Sequence, residues 1–171
     1  MALTKIISGG QTGADRAALD WAIENGVPHG GWCPKGRKAE DGPIAAKYQL
    51  KETTSADYLQ RTQWNAKDTD ATVIFTVASA LTGGSKRTAG FAEKHKKPWI
   101  HLHEGLGIEE CAARLKAFIA EHQVKALNVA GTRGSKEPRV GEFVRAVFVE
   151  SSLAWPGEGC RGPSDEFAEL R

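Results

Sequence analysis

A short apolar run, a glycine-rich turn and a helical stretch follow one another repeatedly along the chain, and this repeat constrains the fold more than any other feature. Lys5-Ile6-Ile7-Ser8 reads as a buried strand, and Gly9-Gly10-Gln11-Thr12-Gly13 follows at once. Ala14 to Asn25 then carries Ala18, Leu19, Ala22 and Ile23 on one helical face, with Gly26 as its stop. Ala71-Thr72-Val73-Ile74-Phe75 is a second strand, rich in β-branched residues. Gly83-Gly84-Ser85-Lys86-Arg87-Thr88 reads as its loop, and a helix runs on to about Lys96, where Pro98 bars continuation. Trp99 to Leu102 is the next strand. Ile108 to His122 is an amphipathic helix with Cys111, Leu115, Phe118 and Ile119 inward. Ala126 to Val129 is a further strand, Gly131-Thr132-Arg133-Gly134-Ser135 its loop, and Arg139 to Ser151 a last helix. Uninterrupted apolar strands alternating with helices predict an α/β fold, with helices on both faces of a mainly parallel sheet. Trp32-Cys33 supplies the end of a fifth strand, and the expected order is 2-1-3-4-5.

A chain of 171 residues fits one domain, expected over 1–154, with a Gly/Pro-rich extension over 155–171. The connection from Gly30 to Asn65 is charged and loop-like apart from a helix near Tyr58 to Asn65; connections this long usually serve function. The net charge of +2 gives no global attraction for nucleic acid. The three cysteines are far apart and form neither a metal-spacing motif nor a disulfide framework, which fits a cytoplasmic setting. No structural metal is expected: His101 and His103 share a strand face but lack a third ligand nearby. No apolar run approaches the ~20 residues of a membrane span, and no signal-peptide core is present at the start. The tryptophans form no stacking series for nucleic acid.

Nineteen glycines raise the question of what their loops do. A glycine loop between strand and helix lets backbone approach a ligand and aims the helix N-terminus at an anion. The first loop lacks both the dinucleotide fingerprint and the Lys-Ser/Thr ending of a P-loop. It offers Gly9, Gly10, Gln11, Thr12, Gly13, Asp15 and Arg16. The second offers Gly83, Gly84, Ser85, Arg87 and Thr88, with Arg87 as the fork for a phosphate. In the long connection, Lys35 and Arg37 suit anions, while Glu40 and Asp41 suit N–H and O–H donors; Arg61, Thr62 and Asn65 can close over a ligand. Each segment also has a plainer reading, as a tight turn or a solvated surface. For Gly131 to Ser135 a structural role stands slightly ahead, with Thr132 and Arg133 at the far end of a crevice. If the first two loops are neighbours, they open together at the carboxyl edge of the sheet.

Four ordered motifs carry a family resemblance. Ile7-Ser8-Gly9-Gly10-Gln11-Thr12-Gly13-Ala14-Asp15-Arg16-Ala17-Ala18-Leu19 resembles the opening motif of the molybdenum carrier proteins. Gly31 to Gly42 is similar to their second motif, Tyr58, Arg61-Thr62 and Asn65 to the third, and Asp70 to Thr88 to the fourth. The resemblance spans about residues 5 to 150. It implies a single Rossmann-like three-layer αβα domain, related to LOG-type nucleotide-processing proteins. It also implies a bound molybdenum cofactor (molybdopterin), or a nucleotide, held by its phosphate, and a homo-oligomer, dimer or tetramer. The expected function is binding or carriage rather than catalysis, with a small phosphorylated ligand as partner and neither nucleic acid nor membrane. The alternatives are a nucleotide-binding sensor and a LOG-like phosphoribohydrolase that cleaves the N-glycosidic bond of a nucleoside monophosphate. LOG-type hydrolases carry a glutamate shortly after the second glycine pair. Here that stretch reads Arg87-Thr88-Ala89-Gly90-Phe91, and Glu93 is the nearest carboxylate.

Overall fold

The computed structural model describes residues 2–155. The expected 155–171 extension therefore lies, apart from Trp155, outside the described residues. The strands are β1 (Lys5–Ile7), β2 (His29–Gly30), β3 (Trp32–Cys33), β4 (Lys38–Ala39), β5 (Gly42–Pro43), β6 (Lys51–Glu52), β7 (Ala71–Thr76), β8 (Trp99–His103) and β9 (Ala126–Gly131). The helices are α1 (Ala14–Glu24), α2 (Tyr58–Lys67), α3 (Gly83–Lys94), α4 (Ile108–Glu121) and α5 (Val140–Ser151). A three-residue 3-10 turn, Glu104–Leu106, precedes α4. Among the described residues, no helix is long and apolar enough to cross a membrane.

Five strands form a wholly parallel sheet, with α1, α4 and α5 packed together on one face and α2 and α3 together on the other. This is the expected three-layer αβα class. The core lies mainly under the α1–α4–α5 layer, where Trp21, Phe75, Leu115, Val144 and Phe148 are buried together. The Trp21 and Phe148 rings meet at 4.9 Å. On the other face, α3 buries only small side chains, Ser85, Thr88, Ala89 and Ala92. Their three- and four-residue spacing makes them the inner stripe of a helix. Thus Gly83 to Thr88, read as a loop, is the opening of α3, and the true connection after β7 is 77–82.

Two features of the sheet differ from expectation. The second strand of the main sheet is His29–Gly30, whereas Trp32–Cys33 pairs with β6 in a separate two-stranded piece. The order is β2-β1-β9-β7-β8, or 2-1-5-3-4 counted along the chain, so the last strand separates the first from the third. The long connection after β2 carries the chain past β1 and one open strand position, and α4 brings it back over β7 to fill that gap. Counted from β9 and continued through β1, the order becomes 3-2-1-4-5, the doubly wound arrangement. Its topological switch point lies between β9 and β7.

Candidate functional site

The switch point opens a crevice because its two strands send their helices to opposite layers: β9 leads into α5, and β7 into α3. The crevice encloses about 110 Å³, or about 700 Å³ with the space open to solvent at its mouth. Its walls come from the first loop, from α2, from the start of α3 and from the segment after β9. Nine expected residues line it: Gly9, Gln11, Asp15, Arg61, Thr62, Asn65, Gly84, Ser85 and Thr88.

The first loop is shaped by two close approaches. Gly13 has φ +82°, and a Cβ there would sit 2.4 Å from the Thr132 carbonyl oxygen. The α1 start can therefore press against the loop after β9. At Gly9 a Cβ would lie 1.8 Å from Arg61 Nη1, so the guanidinium rests directly on bare backbone. Arg61 Nη1 donates to Asp15 Oδ2 at 2.8 Å, and both side chains are nearly buried, 13% and 6% exposed. Gln11 N also donates to Asp15 Oδ2, at 3.2 Å. Gln11 Oε1 accepts from the backbone N–H groups of Thr12 (3.1 Å) and Glu40 (3.0 Å).

The long connection supplies braces. Glu40 accepts from the Thr12 hydroxyl, from Ser135 N at 3.1 Å and from Ser135 Oγ at 2.6 Å. Thr12 Oγ1 in turn accepts from Gly134 N at 3.1 Å. Glu40 thus clamps the first loop to the loop after β9. Desolvation pushes its carboxyl pKa up, but the Ser135 and Thr12 hydrogen bonds and the Arg133 charge leave it below the ordinary range. Asp41 is paired with Arg16, which also donates to Gly10 O at 3.0 Å. Arg37 donates to the carbonyls of Ile44, Ala45, Tyr48 and Leu50 at 2.8–3.3 Å. Gly10 packs beneath Ile44 and Leu50.

These contacts hold Gly10, Thr12, Gly13, Arg16, Arg37, Glu40 and Asp41 behind the crevice wall rather than in its lining. Lys35 is exposed on its turn. Gly83 and Arg87 also lie outside the lining, and Arg87 is exposed on α3. Asn65 lines the crevice, yet its amide is already engaged with the Trp32 backbone at 2.7 and 2.9 Å. Thr62 donates to Tyr58 O at 2.8 Å.

The sheet order brings further residues to the centre. Asn128, Gly131, Thr132 and Arg133 line the crevice from β9 and its loop, with Tyr58, Thr82 and Lys136. Lys136 Nζ donates to Thr82 Oγ1 at 2.6 Å. The Arg61 and Arg133 guanidinium carbons each lie 5.6 Å from the Tyr58 ring centre, and Lys38 Nζ lies 5.1 Å from it. The signal for them in the sequence is the Gly131–Ser135 loop itself, whose strand the expected order puts at the edge of the sheet. Among the described residues, no group of three or more His, Cys, Asp or Glu side chains is arranged to hold a metal ion.

The comparisons with known proteins agree with this topology. No curated protein matches the chain. A crystal structure at 1.45 Å from Syntrophus aciditrophicus SB, of a protein named "Putative molybdenum carrier protein", is similar with a TM-score of 0.86. The two are 44% identical, and the match covers 88% of this chain and 95% of that one. Residues 6–152 match the family described as circularly permutated YpsA SLOG, and a sheet that regains doubly wound order when counted from its last strand is what such a permutation produces. The chain belongs to the circularly permutated YpsA SLOG family.

Proposed function

We propose that the switch-point crevice binds a phosphorylated heterocycle, molybdenum cofactor before other candidates, for carriage or storage. One observation carries the reading. The first turn of α3, at Gly84 and Ser85, opens into the same crevice as Thr82, Thr88, Arg133 and Lys136. Unpaired N–H groups at a helix start, hydroxyls and two cations make an anion pole suited to a phosphate. The enclosed volume of about 110 Å³ is smaller than the usual small-molecule site, so it admits one group such as a phosphate while the rest of the ligand lies in the open mouth. The name of the Syntrophus relative favours molybdenum cofactor as cargo. Binding requires no covalent step. The same reading makes the protein a cytoplasmic homo-oligomer, dimer or tetramer, with no nucleic-acid or membrane partner.

Within this proposal the ligand-facing set is Gly9, Gln11, Asp15, Arg61, Gly84, Ser85 and Thr88, extended by Thr82, Arg133 and Lys136. The hydrolase reading now rests on Asp15. Among the described residues it is the one carboxylate in the lining, while Glu40 and Asp41 serve as braces and Glu93 is exposed near the end of α3.

Equilibrium binding of AMP and of molybdopterin tests the proposal. Lys136→Ala should weaken binding roughly tenfold, since a charge-assisted bond is worth about 1.5–3 kcal/mol. Arg87→Ala should leave it unchanged. Negligible binding of both ligands by the wild type, or a loss confined to Arg87→Ala, would overturn it.

A further inference from the structure

The crevice has a second polar end besides its anion pole, formed by Gln11 and Asp15. Both residues are nearly buried, at 5% exposure each, and both line the crevice. The Gln11 amide orientation is fixed by its own bonds. Oε1 accepts from two backbone N–H groups, so Nε2 cannot take its place. Nε2 is buried and has no partner among the described residues. On Asp15, the bonds from Arg61 and from Gln11 N both fall on Oδ2. Oδ1 is left without a protein partner among the described residues. Buried polar groups are rarely left unpaired, so the buried Nε2 donor, on a side chain that lines the same crevice as the open Asp15 Oδ1 acceptor, points to a bonding group supplied from outside.

We propose that the Gln11–Asp15 pair reads the donor–acceptor edge of the ligand's heterocycle. A ring N–H or exocyclic amino group donates to Asp15 Oδ1, and the adjacent ring nitrogen or oxo group accepts from Gln11 Nε2. Amidine edges, as in adenine, and lactam edges, as in hypoxanthine or the oxo ring of a pterin, carry such a pair with donor and acceptor in exchanged order, so a fixed site takes one of the two. A sugar phosphate alone does not. This inference rests on the phosphorylated-heterocycle reading above and assigns the ring end of that ligand. It makes Asp15 and Gln11 specificity-determining residues rather than phosphate ligands.

The test compares AMP, IMP and purine riboside 5′-monophosphate by equilibrium titration. The third keeps the ribose, the phosphate and the ring size but lacks the donor. The wild type should prefer AMP or IMP, whichever sets its donor at Asp15, to it by at least about tenfold, because a site built to pair a donor rejects the analogue without one. Asp15→Asn should bring all three to similar affinity. Should that variant fail to fold by its thermal transition, Gln11→Glu tests the other half of the pair. It keeps the acceptor used by Thr12 and Glu40 and removes the donor to the ligand's ring acceptor, so affinity for the preferred nucleotide should fall about tenfold, and unchanged affinity overturns the inference. Equal binding of the three by the wild type overturns this inference alone. An Asp15→Asn loss that is uniform across the three, with the preference intact, also overturns it, because Asp15 would then serve the shared sugar phosphate. Binding of none of the three overturns the phosphorylated-heterocycle reading, and this inference with it.

Discussion

Single carboxylates in this protein divide by what already holds them. Asp15 keeps one oxygen free and faces the crevice, whereas Glu40 spends both oxygens on Thr12 and Ser135. In the sequence the two were equivalent candidates, because residue type reveals the capacity to accept a hydrogen bond but not whether that capacity is used. Arg37 shows the same ambiguity: a guanidinium suited to an anion is taken up by four carbonyls of its own chain. The Glu40 brace has a pH signature. Its folded pKa is depressed below the unfolded value, so its contribution to stability is fully present above the unfolded pKa of ~4.3 and is lost as pH falls through the folded one. Urea midpoints measured from pH 6 down to pH 3 should therefore fall more steeply in the wild type than in Glu40→Gln, and the two curves should converge at the acid end.

Elements were legible wherever periodicity was long. Helices α1, α2, α4 and α5 and strands β1, β7, β8 and β9 lie within a few residues of where the apolar pattern sets them. The beginning of α3 was not legible, because Gly83-Gly84 signals a turn and the Ser85, Thr88, Ala89, Ala92 stripe is too small and polar to register as a buried face. That difference decides the place of Arg87, exposed on a helix instead of poised in a loop. The connection 34–50 resists sequence reading for another reason: its two short strands and turns are organised by side chains reaching backbone. Arg37→Ala should cost about 2–3 kcal/mol in urea unfolding, as several charge-assisted bonds to carbonyls are lost. Arg37→Lys should recover little of it, because one ammonium cannot span the four acceptors.

For the whole molecule, class was readable and strand order was not. Alternating βα units dictate a parallel sheet with helices on both faces, yet nothing local to β9 distinguishes an edge strand from a central one. Its central place moves the switch point to the β9–β7 boundary and turns the Gly131–Ser135 loop from the rim of the crevice into its wall. The first-loop and α3 residues still meet there, across β9 instead of side by side. The proposed function puts the ligand at this boundary. Titrating AMP into ¹⁵N-labelled protein tests it directly, by following backbone amide shifts. The predicted result is saturable shifts at Gly84, Ser85 and Gly131 to Arg133, with Arg87 and the 34–38 turn little changed. Shifts confined to Lys35, Arg37 and the surrounding connection, with the β9 and α3 amides unmoved, would contradict it.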